Sequence, residues 1–198
     1  MKLEGKKIGF AMTGSFCTFD RAFETARQLV KAGADVTPIM SFTAAGLSTR
    51  FGTASDNREK IERITGHRLI ETIEAAEPIG PKKLFDLLIV EPCTANTLAK
   101  LAVGIYDTPV TMAVKSHIRN ARPVLVAVST NDALAACAKS IGLLQNSRCY
   151  FFVPYRQDNF EKKPNSVVAD FSLTAEAAEL ALEGRQMQPV LLAAESFK

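Results

Sequence analysis

The stretch Phe85-Asp86-Leu87-Leu88-Ile89-Val90, running on through Glu91-Pro92-Cys93 into Thr94-Ala95-Asn96-Thr97, decides the fold class. An almost unbroken apolar run is the signature of a strand covered by helices on both faces, as in a parallel sheet. Glu91-Pro92-Cys93 is expected to end it, and Thr94 to Val103 follows as a helix closed near Gly104. Working outward, Lys7 to Met12 reads as a strand ending at Thr13-Gly14-Ser15. Phe16 to Gly33 reads as a helix with Gly33 at its C-terminus, and Ala34 to Met40 as a second strand followed by Ser41. Strand, glycine turn, helix and strand make the opening unit of a parallel sheet. Downstream, Val110 to Val114 is a short helix or strand, Pro123 to Val128 a buried strand, Asn131 to Leu144 a helix and Cys149 to Val153 a last strand. Thr174 is expected to cap a final helix over 174–183, with Gly184 just past its end. The polar stretch 154–172, which holds Pro164, reads as a binding loop or an arm reaching a neighbour. The expected architecture is a three-layer α/β domain over 1–198, with a doubly wound, mostly parallel sheet.

Composition excludes several functions. The chain has 198 residues, 47% hydrophobic and 23% charged, with a net charge of +3 from 24 basic and 21 acidic side chains. Charge so evenly spread is no nucleic-acid footprint. No apolar run approaches the roughly 20 residues that span a bilayer. The opening Met-Lys-Leu-Glu-Gly-Lys-Lys leads into an apolar run too short for a secretory signal, so a cytoplasmic location is expected. Cys17, Cys93, Cys137 and Cys149 have no spacing suited to zinc, so no metal is expected and the thiols should be buried and reduced.

Ligands of doubly wound sheets sit beyond the carboxyl ends of the strands, where strand order reverses. That rule selects Thr13 to Phe16, Ser41 to Ala44, Pro92 to Thr97, and the loop after Val128. Thr13, Gly14 and Ser15 hold too few glycines for a dinucleotide fingerprint, yet they suit an anion at a helix N-terminus. Ser15 as a plain helix cap is the simpler alternative. Ser41 at a second strand end strengthens the phosphate reading. Pro92, Thr94, Ala95, Asn96 and Thr97 offer a tight backbone with amide and hydroxyl groups, fit to lie against a planar heterocycle. Thr94 as a simple cap remains open. Lys100, one turn on, suits a phosphate or carboxylate.

Pro92-Cys93-Thr94-Ala95-Asn96-Thr97-Leu98-Ala99-Lys100-Leu101-Ala102-Val103-Gly104-Ile105-Tyr106-Asp107 resembles the PASANT stretch of the flavoprotein family of FMN-containing cysteine decarboxylases. Phosphopantothenoylcysteine decarboxylases and prenyl-FMN synthases belong to the same family. The resemblance covers roughly Lys7 to Gly142. It implies a flavodoxin-like fold, assembly into trimers or their multiples, FMN at a subunit interface, and phosphate contacts at Thr13-Gly14-Ser15 and Ser41. The decarboxylases place a catalytic His near Glu77 or Pro78, where this chain has none. Of their PxMNxxMW substrate clamp, Val128-Ser129-Thr130-Asn131-Asp132-Ala133-Leu134-Ala135 keeps only Asn131.

The segments Glu77 to Lys83, Ser129 to Leu134 and Lys162 to Ser166 are similar instead to the family of dipicolinate synthase B subunits. That resemblance implies an oxidoreductase subunit in the mother cell of a sporulating bacterium. Dihydrodipicolinate would be oxidised there to pyridine-2,6-dicarboxylate, with NADP bound by the Rossmann-type A subunit of dipicolinate synthase. A flavin-dependent decarboxylase, or a non-catalytic module that binds flavin or stabilises a partner, are the alternatives. For the dicarboxylate, the basic residues Lys115, His117, Arg119 and Arg122 are candidates beside Ser129, Thr130 and Asn131. Tyr155-Arg156-Gln157-Asp158 is a candidate to close over a neighbour's site. His67, His117 and Asn131 are candidate catalytic residues, the two histidines because their ordinary pKa lies near neutrality. Cys93 is a candidate reactive thiol only if its sulfur meets the helix N-terminus.

Overall fold

The computed structural model describes residues 2–194; Met1 and 195–198, included in the expected domain, lie outside the described residues. The strands β1 (Lys7–Met12), β2 (Asp35–Met40), β3 (Leu87–Cys93), β4 (Val124–Thr130) and β5 (Tyr150–Phe152) pair in parallel in the order β2-β1-β3-β4-β5. This is the flavodoxin-like order, with its switch point between β1 and β3. Buried side chains occupy every position of β3 and all but the first of β1, as strands with helices on both faces require.

Helix α1 (Phe19–Lys31) buries Phe19, Ala22, Phe23, Ala26 and Leu29 at helical spacing, and Gly33 follows it at φ +86°. A single 3-10 turn (Phe16–Thr18) precedes it, so the helix starts later than the apolar spacing suggested. Next come α2 (Phe42–Gly46), α3 (Ala54–Thr65), α4 (Ile73–Ala76), α5 (Ala95–Val103) and α6 (Pro109–Ile118), the last settling the helix-or-strand ambiguity at Val110 to Val114. α6 starts with a reciprocal capping box between Thr108 and Thr111. α7 (Ala138–Gln145) and α8 (Thr174–Leu182) complete the set, with α1 and α8 packed together over β3. No helix among the described residues is long and apolar enough to cross a membrane.

Four expectations need correction. β3 does not end at Val90 but continues through Glu91, Pro92 and Cys93, with its register against β4 shifting between Val90 and Cys93. Pro92 lacks an N–H, and the irregular pairing spares β3 the missing donor. α7 begins at Ala138 rather than Asn131, because Leu134 N–H donates to the Asn165 carbonyl and 131–137 form turns. The stretch 154–172 is neither plain loop nor free arm. It forms β6 (Tyr155–Gln157) and β7 (Val167–Ala169), an antiparallel pair whose β7 also pairs with Ser129 and Thr130 at the end of β4. Thr174 is the first residue of α8 rather than its cap, and its hydroxyl points into the core.

Candidate functional site

The tips of β1, β3 and β4 are tied to one another by hydroxyls. Thr13 is buried; its Oγ1 donates to the Pro92 carbonyl at 2.7 Å and accepts from the Thr94 N–H at 3.0 Å. The Thr13 N–H donates to the same Pro92 carbonyl at 3.2 Å. Ser15 Oγ lies 2.9 Å from Ser129 Oγ, which joins the first tip to the third. A Cβ on Gly14 would come within 3.1 Å of Thr43 Cγ2, so the absent side chain lets the β1 turn close down on α2. Thr94 starts α5 without a side-chain cap, so its first-turn N–H groups are left for other acceptors. These tips border a cleft of about 440 Å³ lined by Gly14, Ser15, Thr94, Ser129, Asn131 and Lys163, among others. That volume falls within the range of small-molecule sites.

Glu91 lies beneath the α1 side of the sheet, fully buried. Thr174 Oγ1 donates to its Oε2 at 2.6 Å, while Oε1 has no partner. Burial pushes its pKa up to about 8, against the opposing pull of Thr174, Thr25 and the Arg21 guanidinium. The carboxyl is therefore protonated at neutral pH. Burial likewise raises the Cys93 thiol well above its ordinary value, so this cysteine is not a reactive thiolate. Cys137 is also buried and Cys149 half-buried, but Cys17 is exposed, contrary to expectation.

The family model described as Flavoprotein matches residues 1–157. The chain belongs to the flavoprotein family. Within that family it is similar to the B subunit of dipicolinate synthase from Bacillus subtilis (strain 168), 43% identical over 190 residues that cover 96% of this chain and 95% of the relative. It also resembles the crystal structure of the dipicolinate synthase B subunit from Bacillus halodurans, with 40% identity and a TM-score of 0.90 over 98% of this chain and 99% of that one. The FMN-dependent cysteine decarboxylase SpaF shares the fold, with a TM-score of 0.70 at 22% identity over 92% of this chain and 99% of that one.

In this flavoprotein-family chain the cleft gathers part of the expected residue set and separates the rest. Gly14, Ser15, Thr94, Ser129, Thr130 and Asn131 line it, and Thr13 stands just behind. Ser41 instead caps α2, accepting the Ala44 N–H at 3.2 Å. Pro92 and Thr97 are buried, Ala95 is half-buried, and Asn96 is exposed outside the cleft lining. Lys100 is held by Asp107 at 2.7 Å. Asn131 Oδ1 accepts the Ser166 hydroxyl at 3.1 Å, so it is engaged by the strand pair.

The histidines and the basic run lie elsewhere. His67 Nε2 meets Asp35 Oδ1 at 2.6 Å at the start of β2. His117 Nε2–H donates to the Pro123 carbonyl at 3.0 Å just before β4, and burial lowers its pKa to about 4. Arg122 donates to the Phe85 carbonyl and faces Asp86, just ahead of β3, and exposed Arg119 and Lys115 belong to the same end. All of these sit at the amino-terminal edge of the parallel sheet, whereas the cleft lies at the carboxyl edge. They are therefore not part of this chain's cleft. Sequence reasoning missed Thr18 and Arg21, which α1 and the turn before it bring to the cleft, while Asp158, Lys163 and Ser166 reach it from the 154–172 stretch that the sequence offered as a binding loop without singling out its lysine or serine. For Arg21 no local signal existed, since one arginine in the first turn of an amphipathic helix reads as surface.

Proposed function

We propose that this chain is the B subunit of a dipicolinate synthase, acting with a nicotinamide-binding A subunit to oxidise dihydrodipicolinate to pyridine-2,6-dicarboxylate. The observation behind this reading is the 43% identity that runs almost end to end with a dipicolinate synthase B subunit. The residues of the cleft fit FMN. Gly14 gives close backbone approach, Ser15, Thr94 and Ser129 present hydroxyls, and the uncapped start of α5 offers N–H donors to a phosphate or ring edge. When bound, the flavin supplies a redox-active ring able to accept hydride. This chain's own work is to fix that ring's place through the linked tips of β1, β3 and β4, and to keep the β6–β7 pair over the cleft. The proton lost on aromatisation meets no histidine here; the carboxylates at the cleft are Asp132 and Asp158.

The decarboxylase alternative is weaker, because the one clamp residue retained, Asn131, is hydrogen-bonded to Ser166. Self-association is also part of the proposal: Phe42, Leu47 and Phe51 stand 51%, 53% and 48% exposed close together in sequence, more apolar surface than an isolated protomer needs. The sporulating mother cell as location, and NADP held by the partner, follow from the same reading.

The test is reconstitution. The purified chain is expected to show flavin absorbance. Mixed with the A subunit, it should produce pyridine-2,6-dicarboxylate at a rate neither component reaches alone. Equal turnover by the A subunit without this chain would overturn the proposal.

A further inference from the structure

Two clefts meet at Arg21. Beside the cleft at the strand tips lies a second one of about 410 Å³, between α1 and the β6–β7 pair, with Thr25, Gln28, Gln157 and Ser172 on its walls. Arg21 and Asp158 line both. The Arg21 guanidinium stands 4.7 Å from the centroid of the Phe171 ring, and its Nη2 donates to the Ala169 carbonyl at 3.1 Å. Those two contacts fix the plane of the group and leave most of its N–H donors unused.

Its surroundings do not neutralise it. Arg156 is paired with Asp170 at 2.6 Å, and Lys163 with Asp158 at 3.0 Å. On its own helix, Asp20 is taken by Lys60 and Glu24 by Arg27. Arg21 forms no such ion pair among the described residues. The carboxyl beneath it, Glu91, is kept protonated at neutral pH by burial. A preoriented guanidinium with spare donors, facing a cleft whose carboxylates Glu24, Asp158 and Asp170 are each held by another cation and whose remaining polar walls are amides and hydroxyls, is the chemistry that recognises a carboxylate on a small planar molecule.

We propose that Arg21 grips one carboxylate of the pyridine dicarboxylate in the cleft between α1 and the β6–β7 pair, next to the strand-tip cleft. This rests on the synthase reading above, and it moves the dicarboxylate site from the basic run at the amino-terminal edge to a cation at the carboxyl edge. Gln28, two turns along α1 on the same wall, and Ser172 across the cleft are the neutral partners.

Calorimetric titration of pyridine-2,6-dicarboxylate into the flavin-loaded chain tests it, alongside steady-state rates with the A subunit. Arg21→Gln is expected to weaken binding about tenfold or more, as loss of a charge-assisted pair does. It should raise KM far more than it lowers kcat and leave flavin content unchanged, with the melting temperature lowered by only a few degrees through loss of the Phe171 and Ala169 contacts. Arg21→Lys should restore part of the affinity. Unchanged affinity in Arg21→Gln overturns the proposal, as does loss of flavin in place of loss of dicarboxylate, which would assign the cation to the cofactor phosphate. A wild-type chain that shows no dicarboxylate binding while the two-component complex is active overturns the site and leaves the synthase reading standing. An inactive complex overturns the reading itself.

Discussion

The single hydroxyl of Thr13 holds both the Pro92 carbonyl and the Thr94 N–H, and so sets the distance between two strand tips. Thr13→Val keeps the shape but leaves the Thr94 N–H without its acceptor and the Pro92 carbonyl with only the Thr13 N–H, at a cost of about 1–3 kcal/mol. Denaturant unfolding should show that loss, and flavin content should fall with it. Glu91 makes a prediction of a different kind. Its pKa is raised from the ordinary 4.5 to about 8, so the stability due to its buried proton is full below about 4.5 and is lost as pH rises through about 8. The groups facing it are Thr174 from α8, and Thr25 and Arg21 from α1. Glu91→Gln should therefore flatten the fall in stability between pH 5 and 9 (roughly the titration window), gaining on the order of a few kcal/mol at the alkaline end. Thermal melts of both proteins across that range check it. The sequence placed Glu91 where the strand was expected to end; that β3 continues through it and buries it against α8 was decided by the folded arrangement.

At the scale of elements, the turn after α4 and helix α6 touch backbone to backbone. A Cβ on Gly80 would fall 2.2 Å from the Ser116 carbonyl oxygen, and the Asn120 side chain also donates to the Gly80 carbonyl at 2.8 Å. Gly80→Ala must push the two apart, at about 1–3 kcal/mol. At roughly 2–4 °C per kcal/mol for a chain of this size, the melting temperature should drop by several degrees, with flavin content little changed because the contact lies away from the cleft. Helices whose boundaries depend on local signals were legible: Gly33, Gly104 and Gly184 each follow a helix at positive φ, as their positions in the sequence suggested. The β6–β7 pair was not legible. Its strands are three residues each and sit in a polar stretch, and β7 is held by pairing with Ser129 and Thr130, almost forty residues away in sequence. The same pairing, through Asn165 and Ser166, draws 131–137 out of the expected helix.

For the molecule as a whole, the exposed apolar side chains of Phe42, Leu47 and Phe51 predict self-association. Light scattering on the purified chain should give a trimer or a multiple of it, and Phe42→Ser with Phe51→Ser should shift the distribution toward smaller species without unfolding it. The layered parallel sheet could be read from the residues alone, because buried strands and amphipathic helices write their burial into local periodicity. So could the loops at the carboxyl ends of β1, β3 and β4, since a strand followed by a turn and a helix leaves its tip at that edge. Which charges reach the cleft was set by the folded arrangement. His67, His117 and Arg119 looked like site residues and lie at the far edge, while Arg21 looked like surface and stands where two clefts join. The reason is physical: the edge of a sheet on which a side chain falls follows from strand direction and from pairings between distant segments, and neither is encoded in the few residues around it.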